Sequence, residues 1–154
     1  MIQTLPSPTG NLTKSLPGLW WLQSREDYTK AGERRIEPTL GSDPIAILTF
    51  SNTHFAAQFM KRDREDNAAN KINYSAKNNT SAVGGYDAYF GTYEINEETG
   101  LMTTTLIGSL SPDNIGMIAH RNLRIIDDKL IIQLETTTPD GEAVTRTLTW
   151  KRLT

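Results

Sequence analysis

The chain has no cysteine, which removes a disulfide framework, a thiol nucleophile and every thiolate metal site. The absence suits a reducing compartment, and the expected location is the cytoplasm. Histidine is nearly as scarce. His54 and His120 are the only two, and they lack the close spacing of a paired-ligand motif, so no metal is expected. There is no basic excess either: sixteen Lys and Arg face eighteen Asp and Glu, a formal net charge of -2. A nucleic-acid partner needs clustered cations to neutralise phosphates and is therefore not expected. No apolar run approaches the roughly 20 residues of a membrane-crossing helix, so the chain is read as soluble with no membrane partner. Ser109 lies outside any Gly-x-Ser-x-Gly elbow. Walker and Gly-x-Gly-x-x-Gly loops are missing, which leaves hydrolase and dinucleotide readings unsupported and no cofactor expected.

What is present points to one all-β domain. A chain of 154 residues has enough mass for a sizeable single core. Residues 1–17 hold Pro6, Pro8 and Pro17 among Ser, Thr and Asn and read as a flexible tail. From 18 to 154, short runs of Thr, Ile, Val and aromatics recur every ten residues or so between Gly, Pro, Asn and Asp, as in a sandwich or barrel. Strands are expected at about 19–28, 45–51, 54–62, 87–95, 101–107, 117–126, 129–137 and 144–152. Asn52, the stretch Asn96 to Gly100, Asp127-Asp128 and Pro139-Asp140-Gly141 supply tight-turn chemistry between them, so the sheet is expected to be antiparallel. About eight such strands can close into an up-and-down barrel whose interior is filled or holds one small ligand. A two-sheet jelly roll satisfies the same count. The exception is Asp63 to Gly85, a polar, Asn-rich stretch expected to form a long loop or short helix over one end, as a lid or as a surface excursion.

Particular residues sharpen the reading. The first strand opens Gly18-Leu19-Trp20, and the chain closes Leu148-Thr149-Trp150-Lys151-Arg152. In this the sequence resembles a lipocalin. The resemblance implies that Trp20 sits at the closed end of the barrel with Arg152 packed across it, a guanidinium on an indole face. Further blocks are Gly18 to Ser24, Leu40 to Phe50, Gln58 to Arg64, Ala88 to Glu94, and Gly116 followed by Arg121. Together they are similar to the bacterial and fungal lipocalin-like domain family, a calycin-type barrel. Membership implies a ligand-binding barrel, and in some related proteins cyclisation or isomerisation of a bound biosynthetic intermediate. Many members carry a histidine pair where this chain reads Thr104-Thr105, so no acid–base role is carried over to that strand.

Strand alternation then nominates the interior. Met117, Ala119, Arg121, Leu123 and Ile125 are expected inward, which leaves Arg121 either paired with an internal acid or phenol or waiting for an anionic ligand. Tyr89, Gly91, Tyr93 and Ile95 are also expected inward, with Asp87, Phe90, Thr92 and Glu94 on the other face. Gly91 would leave room for a ligand or a close side chain. Between residues 54 and 62 both parities stay open: Phe55, Ala57 and Phe59 suit a core, while Gln58, Met60 and Arg62 belong to a block of the resemblance. The ligand-binding candidates are therefore Arg121, Tyr89, Tyr93, Gln58, Met60 and Arg62. The expected function is binding of a small, mostly apolar or aromatic molecule with an anionic or carbonyl oxygen. The rival is a cofactor-free isomerase or cyclase in the same cavity. A homo-oligomer is left open.

Overall fold

The computed structural model describes residues 1–64 and 81–154. Its strands are β1 (Gly18–Thr29), β2 (Arg34–Arg35), β3 (Ile45–Phe50), β4 (His54–Met60), β5 (Tyr86–Asn96), β6 (Leu101–Ser109), β7 (Ile118–Ile126), β8 (Lys129–Thr137) and β9 (Ala143–Arg152). Eight of them form a closed antiparallel up-and-down barrel, and the two-residue β2 extends only the far end of β1. Closure excludes the jelly roll. One long strand makes it: β1 pairs with β3 over Gly18 to Trp21 and with β9 over Trp20 to Thr29. Among the described strands the sheet closes on itself through β1 and β9.

Two β-bulges decide what faces inward. In β1 the register with β9 shifts between Leu22 and Ser24. Trp20 and Leu22 point in before the shift, and Arg25 and Asp27, of opposite parity, are buried after it. In β6 the pairing jumps from Phe90↔Gly108 to Gly91↔Leu106, leaving Ile107 as the extra residue and turning Ser109 inward. An inserted residue re-aims every side chain beyond it. The expected space beside Gly91 does not exist, because a methyl group there would come within 1.9 Å of the Thr105 carbonyl oxygen. Glycine is required so that the β6 backbone can approach.

Trp20 and Arg152 meet, as the resemblance implied, where β1 pairs with β9. Trp20 is fully buried, its indole Nε1 donates to the Leu16 carbonyl at 3.0 Å, and the Arg152 guanidinium carbon lies 4.1 Å above its ring centroid. Arg152 also donates to the carbonyls of Pro17, at 3.2 Å, and Ser15. The segment expected as a flexible tail contains some regular structure. Leu12–Ser15 form a helical turn, with Leu12 and Leu16 buried in the core. The Glu97 carboxylate accepts the N–H groups of Leu12 and Thr13 at 3.0 and 3.1 Å, a natural partner for a helix start. Farther out, the Pro6 carbonyl accepts from Arg124 at 2.6 Å and that of Gln3 from Gln133 at 2.8 Å, so the segment lies along the outside of β7 and β8.

Candidate ligand-binding site

A cavity of about 100 Å³ occupies the barrel interior. Toward the closed end its walls are apolar: Phe50, Phe55 and Phe59, with Met102, Leu148 and Trp150. Phe59 meets Trp150 edge-on at 5.7 Å and stacks with Tyr89 at 6.2 Å. Toward the opposite end the lining turns polar, with Arg25, Arg121 and Arg146 joined by Asp87, Ser81 and Asn114. An apolar cavity of roughly 150 Å³ holds a benzene ring. This one therefore takes ordered water or a compact molecule, and a larger ring must displace flexible neighbours such as Met102 and Met117.

The charges around the polar end are mostly matched. Arg146 and Asp27 form a bidentate pair at 2.7 and 2.9 Å with side chains only 4% and 5% exposed. Arg25 reaches Glu37 at 3.3 Å, and Glu37 is further held by the N–H groups of Thr39 and Leu40 at 2.7 and 3.1 Å. Burial, reinforced by repulsion from Arg146 and opposed by Glu37 and Asp27, lowers the Arg25 pKa to about 10. Arg121 is also lowered, first by burial, and its Nη1 donates to the His120 carbonyl at 2.9 Å. Asp87 is raised, chiefly by burial. Burial likewise pushes Tyr89 up to about 12, so its phenol keeps its proton at neutral pH. Two polar atoms of the lining, Oδ1 of Asp87 and Nε1 of Trp150, have no hydrogen-bond partner among the described residues.

The layout matches a family profile. A lipocalin-like domain profile covers residues 17–153, nearly the whole chain. The chain belongs to the lipocalin-like domain family. No curated protein matches it.

Within this lipocalin-like barrel the expected site residues divide. Arg121 and Tyr89 line the cavity. Tyr93 points inward, as alternation predicts, but packs edge-on against Phe50 at 5.1 Å and donates its hydroxyl to the Ser51 carbonyl at 2.6 Å. It is not among the cavity-lining residues. Gln58, Met60 and Arg62 do not line the cavity. Phe55, Ala57 and Phe59 take the interior of β4, so alternation turns Gln58 and Met60 to the outer face. Gln58 there accepts from the Tyr86 hydroxyl at 2.6 Å. Arg62 lies beyond β4, exposed, in an ion pair with Asp43 at 3.2 Å.

Asp87 is a further correction. It was expected opposite Tyr89, yet the two are separated by one residue on a regular strand and share the inner face. Arg146 was passed over although Val144, Leu148 and Trp150 share its parity and mark that face as interior. Arg25 and Asp27 were hidden by the β1 bulge. Most of the stretch expected as a lid, 65–80, lies outside the described residues; of its described part, Ser81 lines the cavity and accepts a hydrogen bond from the Asn114 amide.

Proposed function

We propose that the barrel binds a small, mostly apolar molecule carrying an anionic or carbonyl oxygen. The observation that carries this reading is the division of one cavity into an aromatic floor and a rim with three guanidinium groups. Apolar walls supply contact area, and a few convergent polar groups orient the guest. The buried indole N–H of Trp150 adds a donor that a ligand oxygen would satisfy. Membership in a lipocalin-like family supports a small hydrophobic ligand in general; the oxygen is the part argued from Arg121, Tyr89 and Trp150.

The test compares two probes with the same ring. Cyclopentanecarboxylate should bind more tightly than methylcyclopentane, both followed by chemical-shift titration. Replacing Arg121 by Met should weaken the carboxylate by about 1.5–3 kcal/mol, the usual worth of a hydrogen bond to a charged group, and leave the hydrocarbon unaffected. Equal affinity for the two probes, or binding of neither, defeats the proposal. Lost stability with unchanged affinity in Arg121→Met removes that residue from the site.

A further inference from the structure

Asp87 and Tyr89 present complementary groups to one cavity. Asp87 is 3% exposed. Its Oδ2 accepts the Ser81 backbone N–H at 3.4 Å, while Oδ1 is unpartnered among the described residues. Tyr89 stands two positions along the same face of β5, its ring wedged between Phe55 and Phe59, and it lines the same cavity. Ring packing fixes where the phenol points, and the strand fixes its distance from the carboxyl group. A buried carboxylate oxygen with no partner among the described residues is expensive and calls for an explanation.

The surroundings tune both groups. Burial holds the Asp87 pKa above the ordinary aspartate value, outweighing hydrogen bonds from the backbone N–H groups of Ser81 and Ala88 and the attraction of Arg25 on β1, while Glu37 before β3 adds to the rise. Arg121 on β7 and Arg146 on β9 face the same cavity, and both favour the ionised form of Tyr89. Burial prevails there too, so the phenol remains a donor. A base made stronger by an apolar enclosure, next to a neutral donor, is the arrangement that takes a proton from carbon beside a carbonyl.

We propose that Asp87 is the catalytic base and Tyr89 the oxyanion donor of a cofactor-free proton-transfer site that enolises a small cyclic ketone. The inference rests on the reading that a carbonyl compound occupies the cavity. The Asp87 carboxylate removes a proton from the carbon next to the carbonyl. The C–H electron pair becomes the new C=C bond, and the carbonyl π pair moves to oxygen, where Tyr89 donates to it. In a β,γ-unsaturated ketone the same proton returns from Asp87 to the γ carbon, the carbonyl re-forms, and the double bond ends conjugated. Nothing is oxidised or reduced, and no co-reactant is consumed.

The experiment uses the full chain with cyclopentanone in deuterated buffer and, separately, 3-cyclopenten-1-one. Wild type should exchange the protons next to the cyclopentanone carbonyl and produce 2-cyclopenten-1-one, both faster than buffer alone. Asp87→Asn should slow both by at least about 100-fold, while cyclopentanone binding changes little. Tyr89→Phe should slow them by about 100-fold, the typical worth of one oxyanion donor. The wild-type exchange rate should rise with pH through an inflection above the usual aspartate range and then level off. Should Asp87→Asn fail to fold, that profile and Tyr89→Phe decide. Cyclopentanone bound by wild type but exchanged only at the buffer rate overturns this proposal and leaves the binding reading intact. Undiminished exchange in Asp87→Asn, with the same pH profile, assigns the chemistry to another group and also overturns it. Absence of cyclopentanone binding overturns this proposal, and the cyclopentanecarboxylate titration decides the binding reading separately.

Discussion

Replacing Trp20 by Ala tests the closed end of the barrel most directly. The side chain is fully buried, and removing a buried aromatic costs about 3–5 kcal/mol once the residual cavity is included. The Leu16 carbonyl loses its indole donor, and the Arg152 guanidinium loses the ring 4.1 Å beneath it. These losses overlap with the burial cost and are not added to it. A typical domain has about 5–15 kcal/mol in total, so the variant should sit near the edge of folding. For a chain of this size each kcal/mol shifts Tm by about 2–4 °C, which predicts a drop of about 6–20 °C. Arg152→Ala should cost less, about 1–2 kcal/mol, because the carbonyls of Ser15 and Pro17 that it caps lie where water can replace part of the guanidinium. Urea titrations of both single variants and the double variant close a cycle whose coupling should be about 0.5–2 kcal/mol, the worth of a cation–π contact. A Trp20→Ala cost below about 1 kcal/mol, or zero coupling, would refute the closed-end account.

Asp27→Ala should destabilise by about 3–5 kcal/mol because it removes the bidentate carboxylate from the buried Arg146, whereas Asp27→Leu combined with Arg146→Met should recover most of that loss; equal costs in urea titrations of the two variants would contradict the pairing seen at 2.7 and 2.9 Å. Gly91→Ala should cost about 1–3 kcal/mol or more, since the new methyl would meet the Thr105 carbonyl, and a neutral result in the same assay would place β6 farther away. The Asp87 pKa lies above 3.8 in the folded protein, so the folded state binds this proton more tightly than the unfolded chain. Its contribution to stability is present below pH 3.8 and is lost as pH rises through the folded value. Asp87→Asn should therefore be more stable than wild type at neutral pH, with the advantage fading as the pH is lowered through that window; thermal melts at several pH values that differ by a constant offset would contradict this.

Much of the architecture was legible along the chain. Thr, Ile, Val and aromatic runs at even spacing, broken by turns such as Asp127-Asp128 and Pro139-Asp140-Gly141, place eight strands within a residue or two of their observed bounds. Hairpin spacing makes them antiparallel, and Gly18-Leu19-Trp20 with Arg152 marks the closed end. Local alternation sufficed where a strand is regular: on β7 it turned Arg121 inward with Ala119 and Leu123, and on β9 it would have done the same for Arg146. These patterns depend only on neighbours in sequence, because a pleated strand repeats every two residues whatever surrounds it.

The candidate site depended on more. Alternation counted from Trp20 puts Arg25 and Asp27 outside, and only the bulge between Leu22 and Ser24, where β1 meets β9, reverses them. A bulge is a property of two strands in register, so one strand's own residues do not announce it. The choice between the two faces of β4 was likewise made by packing, when Phe55 and Phe59 met Tyr89 and Trp150 across the interior and left Gln58 and Met60 outside. Composition and periodicity thus determined that eight antiparallel strands form and where they run, and only the pairing of β1 with both β3 and β9 made them a barrel rather than a jelly roll. Only closure of the barrel determined which charges it encloses, because burial and pairing are set by residues such as Asp27 and Arg146, which are 119 positions apart in sequence.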